Sequence, residues 1–300
     1  MAADAAGVLI MLIMVDDFSP RVRTFRASMI KKLPRAPNDK ASRATLEAKP
    51  TRSLILAFIT WRMRLIPAKP RKASLWAGGV TPSDLRAVEP RLRSLLKKVE
   101  AGADLTPHLS DLVMTKGVVL PGANPADRGK DIDGVLTRHG LHHFHVGNVG
   151  PGNPKGRSGI LIFAEVLDKE FRIVAISDHE AFEQGSTEQL RFFGICRSYV
   201  AKDVPPGQAF MANPVMSSGH SLIATVFARG CEDQIERLDP QLDDPAFVDR
   251  LYNDQPILRD GKAVVKPPKP SLAWYFEDLK FGILDRRTKV FFCIYPFFDR

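Results

Sequence analysis

The chain has 300 residues, 44% of them apolar, and its 43 Lys and Arg against 34 Asp and Glu give a net charge of +9. That length and apolar content suffice for one large or two ordinary domains, and the charged and aromatic fractions are those of a globular chain rather than a disordered or fibrous one. Cys196, Cys231 and Cys293 are odd in number and far apart, which excludes a disulfide framework and a C-x-x-C metal site and makes a reducing, cytoplasmic setting the expectation.

The most apolar run, Gly7 to Val15, is far too short to span a bilayer. It lacks the basic residues that open a secretory signal, so a buried strand or short helix is expected there. Between Pro20 and Lys72 the chain carries fifteen Lys or Arg and two acids, Asp39 and Glu47. This local excess is larger than the net charge of the whole chain, so the remainder is slightly acidic. Lys31 to Arg52 is rich in Pro, Lys, Ala and Ser, the composition of an extended basic arm. Such a segment suits contact with a phosphate backbone. Residues 1–50 therefore read as an apolar segment plus basic arm, and 51–300 as an α+β domain.

Ser53 to Ile66 has the apolar spacing of a helix stopped by Pro67. Arg62 and Arg64 fall in its last turns, with Arg71 and Lys72 just beyond and Trp61 and Trp76 on either side. This is a candidate nucleic-acid surface. Basic residues at a helix C-terminus also have a purely electrostatic explanation. Thr81-Pro82-Ser83-Asp84 signals a second helix, whose apolar residues repeat at helical spacing as far as Gly102. Pro90 is expected to split or kink it.

Four of the seven histidines, His139, His142, His143 and His145, then fall within seven residues. Histidine titrates near neutrality, so such a cluster points to proton transfer or metal binding. Leu141 to Gly147, Ile160 to Leu167 and Phe171 to Asp178 read as a three-stranded antiparallel meander covered by helices. Alternation puts His142, Phe144 and Val146 on one strand face and Leu141, His143 and His145 on the other. The apolar neighbours send His142 toward a core and leave His143 and His145 as the solvent or cleft pair. The loop from Asn148 to Gly159 carries Lys155 and Arg157, and His179 follows the third strand. Ser186 to Val200 reads as a helix, Asp243 to Tyr252 as a shorter one, and His220 to Ala228 as a further apolar segment. Leu272–Phe276, Phe281–Leu284 and Val290–Tyr295 repeat the strand pattern, expected to extend the same sheet or build a second.

The histidine strand, the basic loop, the apolar hairpin turning on Asp168-Lys169-Glu170 and the sequence Ile176-Ser-Asp-His-Glu-Ala-Phe182 resemble the C-terminal half of RelE/YafQ-type toxin ribonucleases. The likeness covers residues 130–182. In that family the aromatic falls one residue further from the histidine than Phe182 does from His179. The resemblance implies an α+β core, about 81–200 here with a C-terminal β extension over 201–300, that cleaves RNA without a metal or other cofactor. It implies RNA as partner, commonly ribosome-bound mRNA, and an antitoxin protein, with no membrane role.

Cleavage by the neighbouring 2′-hydroxyl needs a base, an acid and positive charge near the phosphate. His143, His145 and His179 are the candidate proton carriers, Arg157 the candidate charge, and Lys155 a further phosphate contact. His143-Phe-His145, completed by Asp178 or His179, is the competing metal reading. No P-loop lysine, G-x-S-x-G or H-E-x-x-H is present, and Pro151 and Pro154 exclude a dinucleotide loop after Gly147. Two classes of function stay open: a toxin-like endoribonuclease, and a nucleic-acid-binding or scaffold protein whose β domain is catalytically idle.

Overall fold

Ser19 accepts a hydrogen bond from the Val22 amide and Pro20 follows at the first helical position, which starts helix α1 (Pro20–Lys32) where the chain becomes describable. The computed structural model describes residues 18–147, 159–208, 213–254, 257–260 and 262–297. The apolar run at 7–15 and both Lys155 and Arg157 lie outside the described residues. Helices α2 (Lys40–Ala48) and α3 (Thr51–Arg62) follow. The short strand β1 (Lys72–Leu75) leads into α4 (Pro82–Glu100) and α5 (Gly134–His139). The meander is β2 (Leu141–His145), β3 (Ile160–Val166) and β4 (Glu170–Asp178). Beyond it come α6 (Thr187–Ala201), α7 (Leu222–Leu238), α8 (Pro245–Asn253), and strands β5 (Leu272–Glu277), β6 (Lys280–Asp285) and β7 (Val290–Pro296).

The α+β class expected from the sequence is the observed one, but the basic arm is not an arm. Residues 20–62 are almost wholly helical, because their few large apolar side chains are spaced to make one buried face. Val22, Phe25, Met29 and Ile30 of α1 and Leu46 of α2 are all buried, while Lys31, Lys32, Lys40 and Arg43 face solvent. Reading low apolar content as mobility overlooked that five well-spaced side chains can anchor two short helices.

The chain forms two compact units. The first joins residues 18–62 to 224–297, with a short contribution from 120–123. Its sheet has the order β7-β6-β5, all antiparallel. Phe25 and Phe58 meet Phe276 at ring distances of 5.5 Å, and Trp274 stacks on Phe281 at 5.1 Å. The indole N–H of Trp274 donates to Asp239, which also pairs with Arg21. Helix α3 thus belongs to this unit and is not one of the helices that cover the meander; Phe58 and Trp61 are buried here. The C-terminal strands build a separate sheet.

The second unit comprises 63–119 and 124–223 and holds the meander. Its sheet order is β1-β4-β3-β2, with β2–β3 and β3–β4 antiparallel as expected. A fourth strand, β1, runs parallel to β4 at the edge. On one face α4 packs Val88, Leu92, Leu95 and Val99 against Phe144, Ile162, Phe171 and Ile173. On the other, Phe192, Cys196 and Tyr199 of α6 cover Leu161, Phe163, Val174 and Ala175. Fully burying each Val, Leu, Ile or Phe among them stabilises by about 1.5–3 kcal/mol. Helix α4 opens on a capping box between Thr81 and Asp84 and runs unbroken through Pro90, whose exposed position spares the core the missing hydrogen bond.

Candidate acid–base site

Helix α5 stops at Gly140, whose φ of 70° is left-handed backbone that glycine enters without a side-chain clash. This turn delivers the chain directly into β2. Pairing then fixes parity: His143 lies opposite Phe163 and His145 opposite Leu161, while Leu161 lies opposite Ser177. His143 and His145 therefore share the α6 face of the sheet, and Phe144 enters the α4 core. His179 follows β4 in a short turn, where the Asp178 carboxylate accepts from the Glu180 amide.

The three histidines expected from the sequence come together. The His145 ring lies 6.0 Å from that of His143 and 5.6 Å from that of His179. Phe182 touches both outer rings, at 5.4 Å from His143 and 6.4 Å from His179. Exposure separates their roles. His179 is exposed and the His143 side chain is 16% exposed, but His145 retains only 4%. The expected solvent pair of His143 and His145 is thus corrected to His143 and His179, because His145 sits opposite Leu161 on the neighbouring strand and is flanked by the rings of His143 and His179. His179 Nδ1 donates to the Gly159 carbonyl at 3.3 Å, so any proton the ring exchanges with a ligand is carried on Nε2.

Two groups at the site escaped the sequence reading. Asp133 caps α5, its Oδ1 accepting from the Val135 and Leu136 amides at 3.1 and 3.0 Å. Its other oxygen stands 3.2 Å from His143 Nδ1, a close but oblique ion-pair contact. Burial opposes the charge of Asp133, but His143, the Leu136 amide and His142 outweigh it and hold the carboxyl below its ordinary range. The Asp-Gly-Val-Leu helix start was the only available signal, and it says nothing of the second oxygen. His108 donates from Nδ1 to the His145 carbonyl at 2.9 Å, and its Nε2 lies 3.0 Å from Lys98 Nζ. Burial pushes the His108 imidazole below the usual range; the His145 carbonyl opposes this and Lys98 adds to it. His142 Nε2 donates to the Met63 carbonyl at 3.0 Å, consistent with its expected inward orientation.

The basic candidates divide differently. Arg64 is 5% exposed and gives its guanidinium to the carbonyls of Lys116 and Asp131. Arg71 is 6% exposed and binds the carbonyls of Leu167, Pro67 and Lys69. Both are internal backbone ties, which corrects their assignment to a nucleic-acid surface. Arg62 is half-buried and pairs with Asp278 at 3.3 Å, and Lys72 is exposed on β1. Trp76 packs edge-on against Tyr199 at 5.1 Å, and Trp61 is buried, so neither indole is a free stacking platform.

Among the described residues no group of three His, Cys, Asp or Glu side chains is arranged to hold a metal ion, and no helix is long and apolar enough to cross a membrane. Compared with known protein families, with characterised proteins and with solved structures, the chain matches none.

Proposed function

We propose that the protein is a metal-independent endoribonuclease of toxin type, in which His143 and His179 exchange the protons of 2′-hydroxyl attack on the neighbouring phosphate. The observation that carries this reading is the convergence of three imidazoles, two from β2 and one from the turn after β4, with His179 exposed and His143 partly exposed. Two accessible imidazoles on one face suit a base and an acid acting at neutral pH. The 2′-hydroxyl is the nucleophile, so the site supplies proton transfer and charge. His145 packs between the two and holds their spacing. Arg157 and Lys155, which follow β2 in the sequence, are assigned to the phosphate. RNA, ribosome-bound or free, is the substrate class, and an antitoxin is the expected protein partner.

The burial of His145 and the carbonyl-bound rings of His108 and His142 favour a second reading, a nucleic-acid-binding protein with an idle β domain. Cleavage separates the two. Purified protein incubated with RNA, with and without ribosomes, should give 2′,3′-cyclic phosphate ends in the presence of EDTA. His179→Ala and His143→Ala should each lose most of that activity, and induced expression of the wild type should arrest growth where His179→Ala does not. Intact RNA under all these conditions rejects the catalytic reading and leaves the binding one.

A further inference from the structure

Asp133 divides its two oxygens between different tasks. Oδ1 is immobilised by two amides at the start of α5, and the carboxylate plane is thereby fixed. Oδ2 is left facing His143 Nδ1 at 3.2 Å. The Asp133 side chain is as buried as that of His143, each 16% exposed, so water screens the pair weakly. A carboxylate held in this way selects the imidazole tautomer with its proton on Nδ1 and turns the lone pair of Nε2 outward. The present contact is oblique, as apo-state catalytic contacts commonly are before substrate aligns them.

Resting on the acid–base reading above, we infer that Asp133 is a positioning residue that makes His143 the proton acceptor of the pair and leaves His179 as the donor. The asymmetry is in the surroundings. His143 faces the carboxylate of Asp133, the His145 ring on its own strand, and the apolar rings of Phe163 and Phe182. Among the described residues His179 meets a backbone carbonyl at Nδ1, with His145 and Phe182 beside it. Arg64 and His142 also interact electrostatically with Asp133 and favour its ionised form. When His143 takes the 2′-hydroxyl proton on Nε2, the imidazolium so formed lies against the negative carboxylate. His179, entering the step as the imidazolium, then delivers its Nε2 proton to the leaving 5′-oxygen and becomes neutral, so the proton taken up by His143 and the proton lost by His179 balance.

The test uses the full-length protein and two variants. Asp133→Asn keeps the side-chain shape, and Asp133→Ser keeps an N-cap in case the first fails to fold. In wild type, nitrogen NMR of the His143 ring should show the Nδ1–H tautomer. Its titration should move to lower pH in either variant, while the His179 titration stays. With RNA as substrate, kcat should fall at least tenfold with KM nearly unchanged, and the acidic limb of the rate profile should shift to lower pH. A variant whose His143 titration superimposes on wild type overturns the inference, as does an unmoved acidic limb in an active variant. A wild type that cleaves no RNA overturns the acid–base roles, and the His143 titration then still decides whether Asp133 governs that ring.

Discussion

Arg64 tests most directly whether a basic residue near a helix end serves a ligand or the fold. Its guanidinium is buried and donates to two backbone carbonyls, of Lys116 at 2.9 Å and of Asp131 at 3.1 Å. Burial lowers its affinity for a proton, and Asp133 and Asp131 act against that. Replacing Arg64 by Ala removes two charge-assisted hydrogen bonds and leaves two carbonyls short of a donor. With hydrogen bonds to charged groups contributing about 1.5–3 kcal/mol each, and partial relief from water entering the gap, the net loss should be about 3–5 kcal/mol. Arg64→Lys keeps the charge but loses the fork, and should fall between. Two units need not unfold together, so global melting is a poor readout. Hydrogen exchange at the amides of 160–178 reports the meander unit alone, and protection there should drop by about two to four orders of magnitude, which is what that loss implies. Unchanged protection in Arg64→Ala, together with weakened RNA binding, would refute the structural account and restore Arg64 to a binding surface.

A second expectation concerns pH. His108 and His139 both have imidazoles pushed below the usual range, chiefly by burial. Their folded-state values lie below the unfolded ones, so their contribution is fully present above about pH 6.5 and is lost as pH falls through the folded values. The meander unit should therefore lose stability between pH 7 and 5, and His108→Gln should flatten that slope; an equal slope in the variant argues against the assignment. A third concerns charge. Because 20–48 supplies core residues, deletion is uninformative, but Lys31, Lys32, Lys40 and Arg43 are exposed and replaceable by Gln. The quadruple variant should keep its circular dichroism and bind single-stranded RNA with a salt slope lower by about 0.7 for each phosphate it no longer neutralises. An identical slope would leave these helices without a nucleic-acid role.

What the sequence made legible follows from periodicity and parity. The β-branched runs at 160–166 and 170–178 announced their strands, and two-residue alternation placed His143 and His145 together and Phe144 opposite, as observed. The convergence of His179 needed the strand pairing, which no local pattern encodes. Burial of His145 depends on its neighbours across the sheet and was equally hidden. Lys72–Leu75 was missed because a four-residue edge strand without alternation has no signature. The assignments of Arg64 and Arg71 failed for another reason: charge is visible in a sequence, whereas the carbonyls that absorb it belong to loops distant along the chain. Asp133 was legible as a helix cap but not as the neighbour of a histidine.

The way the two units share the chain has a consequence for synthesis on the ribosome. Helices α1 to α3 are made first, yet the aromatic residues that cover Phe25 and Phe58 belong to strands that begin at Leu272. The whole of the meander unit is translated in between. At about 5–20 residues per second, that interval is roughly 10–40 s. During it the nascent helices present an apolar face with no native partner, while the later-made meander unit has all its strands and can close. The first-made segment is thus the last to reach its native contacts. Folding in the cell should depend on whatever shields α1 to α3 through that wait, with chaperone demand set by the length of the inserted unit.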